Sequence, residues 1–319
     1  MIFVIRNLIF GMWQKISGYI IVLAILLESI IFAWLAPQFF SFENLVNVAL
    51  SIAVIGVLAV GMTFVILTGG IDLSIGSVVA LGGVVAALVT KQTEFVWLGL
   101  AAAIGIGLLG GAFNGVVIAY CKVPPFIVTL ALLTIARGLA FILSEGRSIG
   151  NLPESFLWFG KASLFGVPLS VLLMLTSFAA GWFVLRRMTF GRYVYAVGGN
   201  REAAFLAGIN VKGITFWVYI LNGFLIGLAA VVLASRLGAG VPNSGLQYEL
   251  DVIAAVVVGG TSLTGGRGSV VSTLFGAIFI GVLNNGLNLA SVDPYTQKIV
   301  LGMVILLAAL ADRFRRDAF

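Results

Sequence analysis

Histidine is absent from the 319 residues of this chain, and cysteine occurs once, as Cys121. The missing histidine excludes a Ser-His-Asp triad, an HExxH zinc site and a histidine proton relay. A single cysteine allows no internal disulfide, so the redox compartment stays undetermined. The nucleotide-binding pattern GxxxxGK[ST] is also missing. The sequence therefore predicts no metal and no cofactor, and any ATP that drives this protein binds to another polypeptide.

Charged residues are also scarce, at 9% of the chain, whereas 61% of the residues are hydrophobic. Soluble domains carry about 25% charged residues, so this chain lacks the polar surface that water requires. The composition excludes a cytosolic enzyme, a disordered protein and a partner of nucleic acid. Lipid is the expected solvent for most of the surface.

Long apolar runs take the place of the missing charge. A membrane-crossing helix needs about 20 mostly apolar residues, and ten runs approach that length. We expect an all-α, polytopic membrane protein with a single domain over residues 1–319. The third and eighth runs are short and interrupted by glycine, so re-entrant or broken helices are an alternative there. The runs cover residues 16–36, 44–68, 73–90, 95–120, 126–143, 167–186, 213–235, 249–262, 268–290 and 295–312.

Basic residues concentrate at alternate ends of these runs. Cytoplasmic loops carry an excess of lysine and arginine, and this rule predicts a cytoplasmic N-terminus and a cytoplasmic C-terminus. Two charges lie well inside a run, away from its ends. Glu28 is either a functional acid or faces a partner helix. Arg137 either pairs with Glu145 or faces a cavity.

The loop over residues 186–212 is basic and is expected on the cytoplasmic side. Gly198, Gly199 and Asn200 form a turn signal. The following string REAAFLAGIN is typical of a short helix that ends at Gly208. Such a helix favours insertion into a cleft of another protein. The alternative is a basic loop that rests on the headgroups of anionic membrane lipid.

Two glycine-rich strings, TGGIDLSIGS at 68–77 and VVGGTSLTGGRGSV at 257–270, share the pattern GGxxL[ST]xG. Asp72 in the first string is expected to cap or begin the third helix, and Ser262 takes its place in the second. The strings either flank a translocation path and help to gate it, or serve helix packing and capping. Other glycines, spaced by four residues, predict close helix packing. They are Gly107, Gly111 and Gly115 in the fourth run and Gly223 and Gly227 in the seventh.

Amide side chains within the runs are candidates for a path taken by a hydrated solute. A buried asparagine is costly when it is unpaired, so these groups face protein or water rather than lipid. Hydrogen bonding between helices is the alternative use. The candidates for the path or its gate are Asp72, Asn114, Asn222, Asn284, Asn285 and Asn288.

Four strings together resemble the ribose-type branch of the bacterial monosaccharide permeases, which belong to ABC importers. They are GRYVYAVGGNREAAFLAGINV, which contains the EAA…G core, GAFNGVVIAYCKVPPFIVTLA at 111–131, and the two glycine-rich strings. The resemblance runs from about residue 40 to the C-terminus. The EAA motif usually ends in a leucine-proline pair, and the missing proline here puts the docking geometry in doubt.

This resemblance implies a multi-pass permease of the bacterial inner membrane that moves a monosaccharide by alternating access. It implies four kinds of partner: lipid, a second permease subunit, two cytoplasmic ATPase domains and a periplasmic sugar-binding protein. Homodimer and heterodimer both stay open, as does the sugar. An ion-coupled secondary transporter is the alternative function. By resemblance, the loop contacts the ATPase through Glu202, Ala203, Ala204 and Gly208, with Gly198, Gly199 and Asn200 shaping the approach.

Overall fold

The computed structural model describes residues 20–317, and most of them are helical. Eight helices are long and apolar enough to cross a membrane, by length and composition. They confirm the expected polytopic, helical class and coincide with eight of the ten apolar runs. These helices are α2 (Phe42–Leu67), α3 (Ile75–Thr93), α4 (Val96–Ala119), α5 (Pro125–Leu143), α7 (Leu169–Arg187), α10 (Val211–Leu237), α12 (Val270–Leu289) and α13 (Pro294–Asp317).

The remaining elements are shorter. Helix α1 is described over Ile20–Leu35, and the start of the first apolar run lies outside the described residues. An antiparallel hairpin joins α6 to α7 and pairs Leu164 with Val167. The other short elements are α6 (Glu154–Lys161), β1 (Ser163–Leu164), β2 (Val167–Pro168), α8 (Thr189–Gly199), α9 (Arg201–Leu206) and α11 (Tyr248–Val258).

The two runs that contain interrupting glycines fold differently from each other. Helix α3 is continuous because Gly82 and Gly83 pack against the methyl groups of Ala230 and Ala234 on α10. Helix α11 has only 11 residues. At about 1.5 Å per residue it is about 16 Å long, about half of a hydrocarbon core of about 30 Å. The eighth run is therefore a partial helix, and the third is not broken.

Helices α4 and α10 form the closest helix pair. A Cβ atom added at Gly107 would overlap the carbonyl oxygen of Gly223 and lie 2.9 Å from Cα of Gly227. One added at Gly111 would overlap the carbonyl oxygen of Tyr219. Only glycine permits this approach of two backbones. The prediction that these glycines serve helix packing is confirmed.

The helices also differ in how deeply they lie within the protein. The apolar window of α2 is 83% buried, whereas that of α13 is 6% buried. Helix α10 packs beside α2, α3 and α4, and these helices share a hydrophobic core. The centre of the molecule is thus built from α2, α3, α4 and α10, and the polar residues on these helices are held in fixed positions.

Candidate coupling and gating site

The basic loop over residues 186–212 contains two short helices, α8 and α9. Asn200 separates them in an extended conformation and caps α9, because its Oδ1 accepts from the backbone N–H of Ala203 at 2.9 Å. Gly208 has φ +81°, and its N–H donates to the carbonyl of Phe205 at 2.9 Å. A glycine in the left-handed region ends a helix without strain. The expected short helix and its glycine stop are confirmed.

The turn signal at Gly198 and Gly199 was misplaced. Both residues belong to the last turn of α8, and the chain turns at Asn200 alone. Close contact at Gly198 explains why this glycine lies in a helix. A Cβ atom there would overlap the carbonyl oxygen of Leu67 and lie 2.6 Å from the amide nitrogen of Gly266. A Cβ atom at Gly199 meets nothing within 4 Å.

Three parts of the sequence meet at this point, which we call the glycine junction: Gly69, Gly198, Gly199, Gly265 and Gly266. The N–H of Gly266 donates to the carbonyl of Leu67 at 2.9 Å, which joins the second glycine-rich string to the end of α2. A Cβ atom at Gly265 would lie 2.9 Å from the amide nitrogen of Gly69 and 3.1 Å from the carbonyl oxygen of Gly198. The junction places the basic loop over residues 186–212 against both glycine-rich strings.

Tyr195 adds a side-chain contact to the junction. Its hydroxyl donates to the carbonyl oxygen of Gly268 at 2.9 Å. Burial raises the pKa of Tyr195 above its usual value of 10.0, so the hydroxyl keeps its proton and remains a donor at neutral pH. Helix α8 is thus tied to the second string by a side chain as well as by backbone contact.

The surface of α9 contains two apolar residues that the sequence interpretation did not select. Phe205 is 69% exposed and Leu206 is 78% exposed. Glu202, Ala203 and Gly208 are also exposed, whereas Ala204 is buried, packed with Val197 and Val211. The sequence signal that could have identified them is a pair of large apolar residues beside small residues on a polar loop. We call Glu202, Ala203, Phe205 and Leu206 the α9 surface.

A second group of candidates forms a buried polar cluster inside the helices. Oδ2 of Asp72 accepts from Nδ2 of Asn222 on α10 at 2.8 Å and from Nδ2 of Asn114 on α4 at 3.4 Å. Its Oδ1 accepts from the backbone N–H and the hydroxyl of Ser74, at 2.9 and 2.5 Å. Asp72, Ser74, Asn114 and Asn222 are all buried. Three of the six path candidates therefore converge on one point.

Asp72 does not cap the third helix directly, contrary to expectation. The N-cap of α3 is Ser74, and Asp72 precedes it within a loop that turns back between the helices. Gly61 of α2 lies against the asparagine that binds Asp72, since a Cβ atom there would overlap Oδ1 of Asn222. A buried carboxylate needs several hydrogen bonds, and Ser74, Asn114 and Asn222 supply them.

Three polar atoms next to the cluster have no hydrogen-bond partner among the described residues. They are Oδ1 of Asn114, Oδ1 of Asn222 and the hydroxyl of Tyr219, which lies beside Gly70. An unpaired buried polar group costs about 1–3 kcal/mol. Both carboxyl oxygens of Asp72 thus accept hydrogen bonds, whereas these three polar atoms at the edge of the cluster accept or donate none among the described residues.

The other three asparagines lie on α12 and point to separate partners. Asn285 exchanges two hydrogen bonds with Asn44 of α2, at 3.0 and 2.9 Å. The amide of Gln297 donates to Oδ1 of Asn288 at 2.9 Å, and Asn284 donates to Asp251 of α11. All three join helices to each other, and they do not form one cluster.

The two charges within the runs differ in their surroundings. Nη1 of Arg137 donates to the carbonyl oxygens of Pro242 and Ser244, at 2.7 and 2.9 Å, rather than pairing with Glu145. Glu28 is buried, and neither carboxyl oxygen has a hydrogen-bond partner within residues 20–317. Arg137 thus holds an irregular backbone segment, whereas Glu28 lies in apolar surroundings.

Comparison with known proteins identifies the family to which this sequence is similar. The family described as "Branched-chain amino acid transport system / permease component" matches residues 44–309. The ribose import permease protein RbsC of Escherichia coli (strain K12) is 45% identical over 294 residues, which are 91% of this chain and 92% of that protein. No solved structure matches the chain significantly.

Two further relatives differ in their named sugar or organism. The RbsC protein of Bacillus subtilis (strain 168) is 43% identical over 306 residues, covering 95% of this chain and 94% of the relative. The L-arabinose transport system permease protein AraH of Escherichia coli (strain K12) is 39% identical over 306 residues, covering 96% and 92%. The chain therefore belongs to this family of transport permeases and lies among its ribose and L-arabinose members.

Proposed function

We propose that this chain is the membrane subunit of an ATP-driven importer for a monosaccharide, a pentose such as ribose or L-arabinose being the first candidate. The α9 surface is the single observation that carries the proposal. An exposed apolar helix on a polar loop, attached rigidly to the ends of membrane helices, is suited to receive force from another protein. The names of the relatives supply the substrate class. Their names also describe import and transport permeases rather than enzymes.

The partners follow from what the chain has and lacks. It contains no GxxxxGK[ST] pattern, so ATP binds to two cytoplasmic ATPase domains, and these dock on the α9 surface. A second permease subunit completes the path, and a periplasmic binding protein delivers the sugar. This arrangement requires cytoplasmic termini, as the distribution of basic residues predicts. Ten crossings require α1 and α11 to be counted with the eight long helices.

The glycine junction is the proposed route of the force. Motion of α9 moves α8, and the contacts of Gly198 pass the displacement to Leu67 and Gly266 without an intervening flexible side chain. Packed interfaces switch between discrete arrangements rather than deforming smoothly. The two glycine-rich strings then move together, which is what alternating access needs at one end of the path.

The buried polar cluster is the proposed gate element. Asp72 fastens the loop after α2 to α4 and α10. The unpaired atoms of Asn114, Asn222 and Tyr219 favour a second arrangement in which they find partners. Asn284, Asn285 and Asn288 remain proposed path residues, with Asn285 the weakest because Asn44 already occupies its amide.

Reconstitution tests the function. The permease is placed in liposomes with its ATPase and a binding protein, and uptake of labelled D-ribose and L-arabinose is measured with and without ATP. We expect uptake only when all three proteins and ATP are present. Sugar uptake without the ATPase would overturn the proposal.

Glu28 separates this function from ion-coupled transport. An ion-coupled carrier needs an acid within the membrane, and Glu28→Gln would then abolish uptake. In an ATP-driven importer the same change leaves uptake near the wild-type rate, because no step of ATP-driven transport uses an acid at this position. The matched control is Glu154→Gln in α6, outside the long helices.

A further inference from the structure

The ten residues between α10 and α11, 238–247, do not form a surface loop. We call them the α10–α11 segment. A Cβ atom added at Gly240 would lie 2.9 Å from Cα of Val84, and one at Gly245 would lie 2.7 Å from the carbonyl oxygen of Gly76. Gly76 and Val84 are eight residues apart on α3, about 12 Å along the helix axis. Since α3 is long and apolar enough to span a membrane, the segment runs within the depth of the bilayer.

The backbone of this segment is held by groups from two other parts of the chain. Arg137 of α5 donates to the carbonyls of Pro242 and Ser244. Gly240 and Ile149 exchange two backbone hydrogen bonds, at 2.9 and 3.0 Å. A guanidinium in a span is costly, and here its donors replace the water that irregular backbone would otherwise need.

One side of the segment is nevertheless open. Asn243 is exposed, Leu246 is 60% exposed, and Ser244 and Gln247 are half-buried. At membrane depth, irregular backbone occurs only where it is buried in protein or lines a water-filled cavity. An exposed amide side chain is incompatible with lipid. The open side therefore faces water.

We propose that the α10–α11 segment lines the sugar path, with Asn243, Ser244 and Gln247 offered to sugar hydroxyls and Arg137 as the positioning residue. Amide and hydroxyl groups both donate and accept hydrogen bonds, which matches the hydroxyls of a sugar. Asn243, Ser244 and Gln247 are not among the path candidates selected from the sequence. The proposal rests on the proposed function, because it names the element that meets the solute.

Thiol labelling tests whether the open side faces water. Cys121→Ser removes the single cysteine of the chain. Asn243→Cys and Leu246→Cys are then introduced one at a time, with Leu307→Cys on α13, which is 65% exposed, as the lipid-facing control. The permease is reconstituted with its ATPase and binding protein and treated with a charged, membrane-impermeant methanethiosulfonate. This reagent needs a thiolate, which forms in water and not in lipid.

We expect both segment cysteines to react in at least one nucleotide state and the α13 cysteine to react in none. If Asn243→Cys is as inert as Leu307→Cys in every state, the proposal is overturned. Sugar uptake by the Cys121→Ser parent is measured in parallel. ATP-dependent uptake with inert segment cysteines would refute the path assignment alone, and loss of ATP dependence would refute the proposed function.

The positioning role of Arg137 is tested on the labelling rate at Asn243→Cys. Arg137→Gln removes two charge-assisted hydrogen bonds to the segment. We expect the labelling rate at Asn243→Cys to rise or fall by about tenfold as a result. Arg137→Lys supplies one point donor and is expected to fall between Arg137→Gln and wild type. An unchanged rate in Arg137→Gln, with the thermal unfolding temperature also unchanged, would remove Arg137 from the proposal.

Discussion

The two glycine-rich strings have the same pattern but end in different surroundings. In the first, Asp72 is tied to α4 and α10 through Asn114 and Asn222. In the second, the hydroxyl of Ser262 lies 3.3 Å from that of Thr264 and donates to Oδ2 of Asp312 on α13 at 3.1 Å. The strings also contact each other at the glycine junction. The first copy of the pattern thus contacts the central helices α4 and α10, and the second contacts the peripheral helix α13.

The residues that differ between the strings explain their different courses. Ile75 begins α3 directly after the first string, whereas the equivalent Gly265 has φ +87°. A left-handed residue cannot begin a right-handed helix, so the second string remains a loop until α12 begins at Val270. The carboxylate of Asp72 recruits several donors, and the hydroxyl of Ser262 needs fewer. The shared glycines determine where the strings contact each other, and the differing residues determine the hydrogen-bond partners of each string.

The largest effect is expected from separating the strings at their junction. In Gly198→Ala the new methyl overlaps the carbonyl oxygen of Leu67, and such overpacking costs about 1–3 kcal/mol. ATP-driven uptake should fall to background, and the thermal unfolding temperature should drop. Gly105→Ala in α4 is the matched control, since this residue lies outside the junction and its new methyl meets nothing within 4 Å. Equal uptake by the two variants would contradict the role of the junction.

A smaller effect on uptake is expected when the first string receives the residue of the second. Asp72→Ser leaves the amide donor of Asn222 without its acceptor, at a cost of about 1–3 kcal/mol for the buried orphan, whereas the amide of Asn114 keeps the hydroxyl of Ser74 as an acceptor at 3.2 Å. Thermal unfolding in detergent measures the loss. Glu154→Ser, on an exposed residue of α6, provides a control for the loss of one carboxyl group. A stable Asp72→Ser variant would mean that the cluster does not hold the loop.

Ser262→Ala is expected to cost less than Asp72→Ser, about 1 kcal/mol, because it removes one hydroxyl from the second string. Uptake should persist at a reduced rate. The comparison between the strings predicts this order of stability in thermal unfolding. A reversed order would place the main anchor at α13 rather than at α4 and α10.

Tyr195→Phe is expected to have the smallest effect. It removes one hydrogen bond to Gly268 and keeps the ring, so the cost is about 0.5–1.5 kcal/mol. Tyr193→Phe, on the same helix, is the control for loss of a tyrosine hydroxyl. If Tyr195→Phe abolished uptake while Tyr193→Phe did not, the side-chain contact would outrank the backbone contacts of the junction.

Local signals in the sequence predicted much of this architecture. Apolar runs predicted the long helices, Asn200 and Gly208 predicted the ends of α9, and glycine spacing predicted a closely packed face on α4 and another on α10. Each signal acts within a few residues or repeats along one helix face. Such signals are read without knowing which helices are neighbours.

The errors and omissions arise where tertiary contacts decide. Gly198 was taken for a turn residue, because the sequence does not reveal that the carbonyl of Leu67 lies against it. The convergence of Asp72, Asn114 and Asn222 depends on residues up to 150 positions apart. The α10–α11 segment has no periodic pattern of its own, and its contacts with Gly76 and Val84 place it beside α3.

The seam between α4 and α10 has a mechanical consequence. Backbone lies against backbone at Gly107, Gly111 and Gly223, with no side chain between them whose rotamers exchange. The two helices therefore behave as one stiff lever, and Asn114 and Asn222 attach the loop of Asp72 to both of its arms. We therefore expect a displacement of the first turn of α10 to move the opposite end of both helices, with little bending between the two ends.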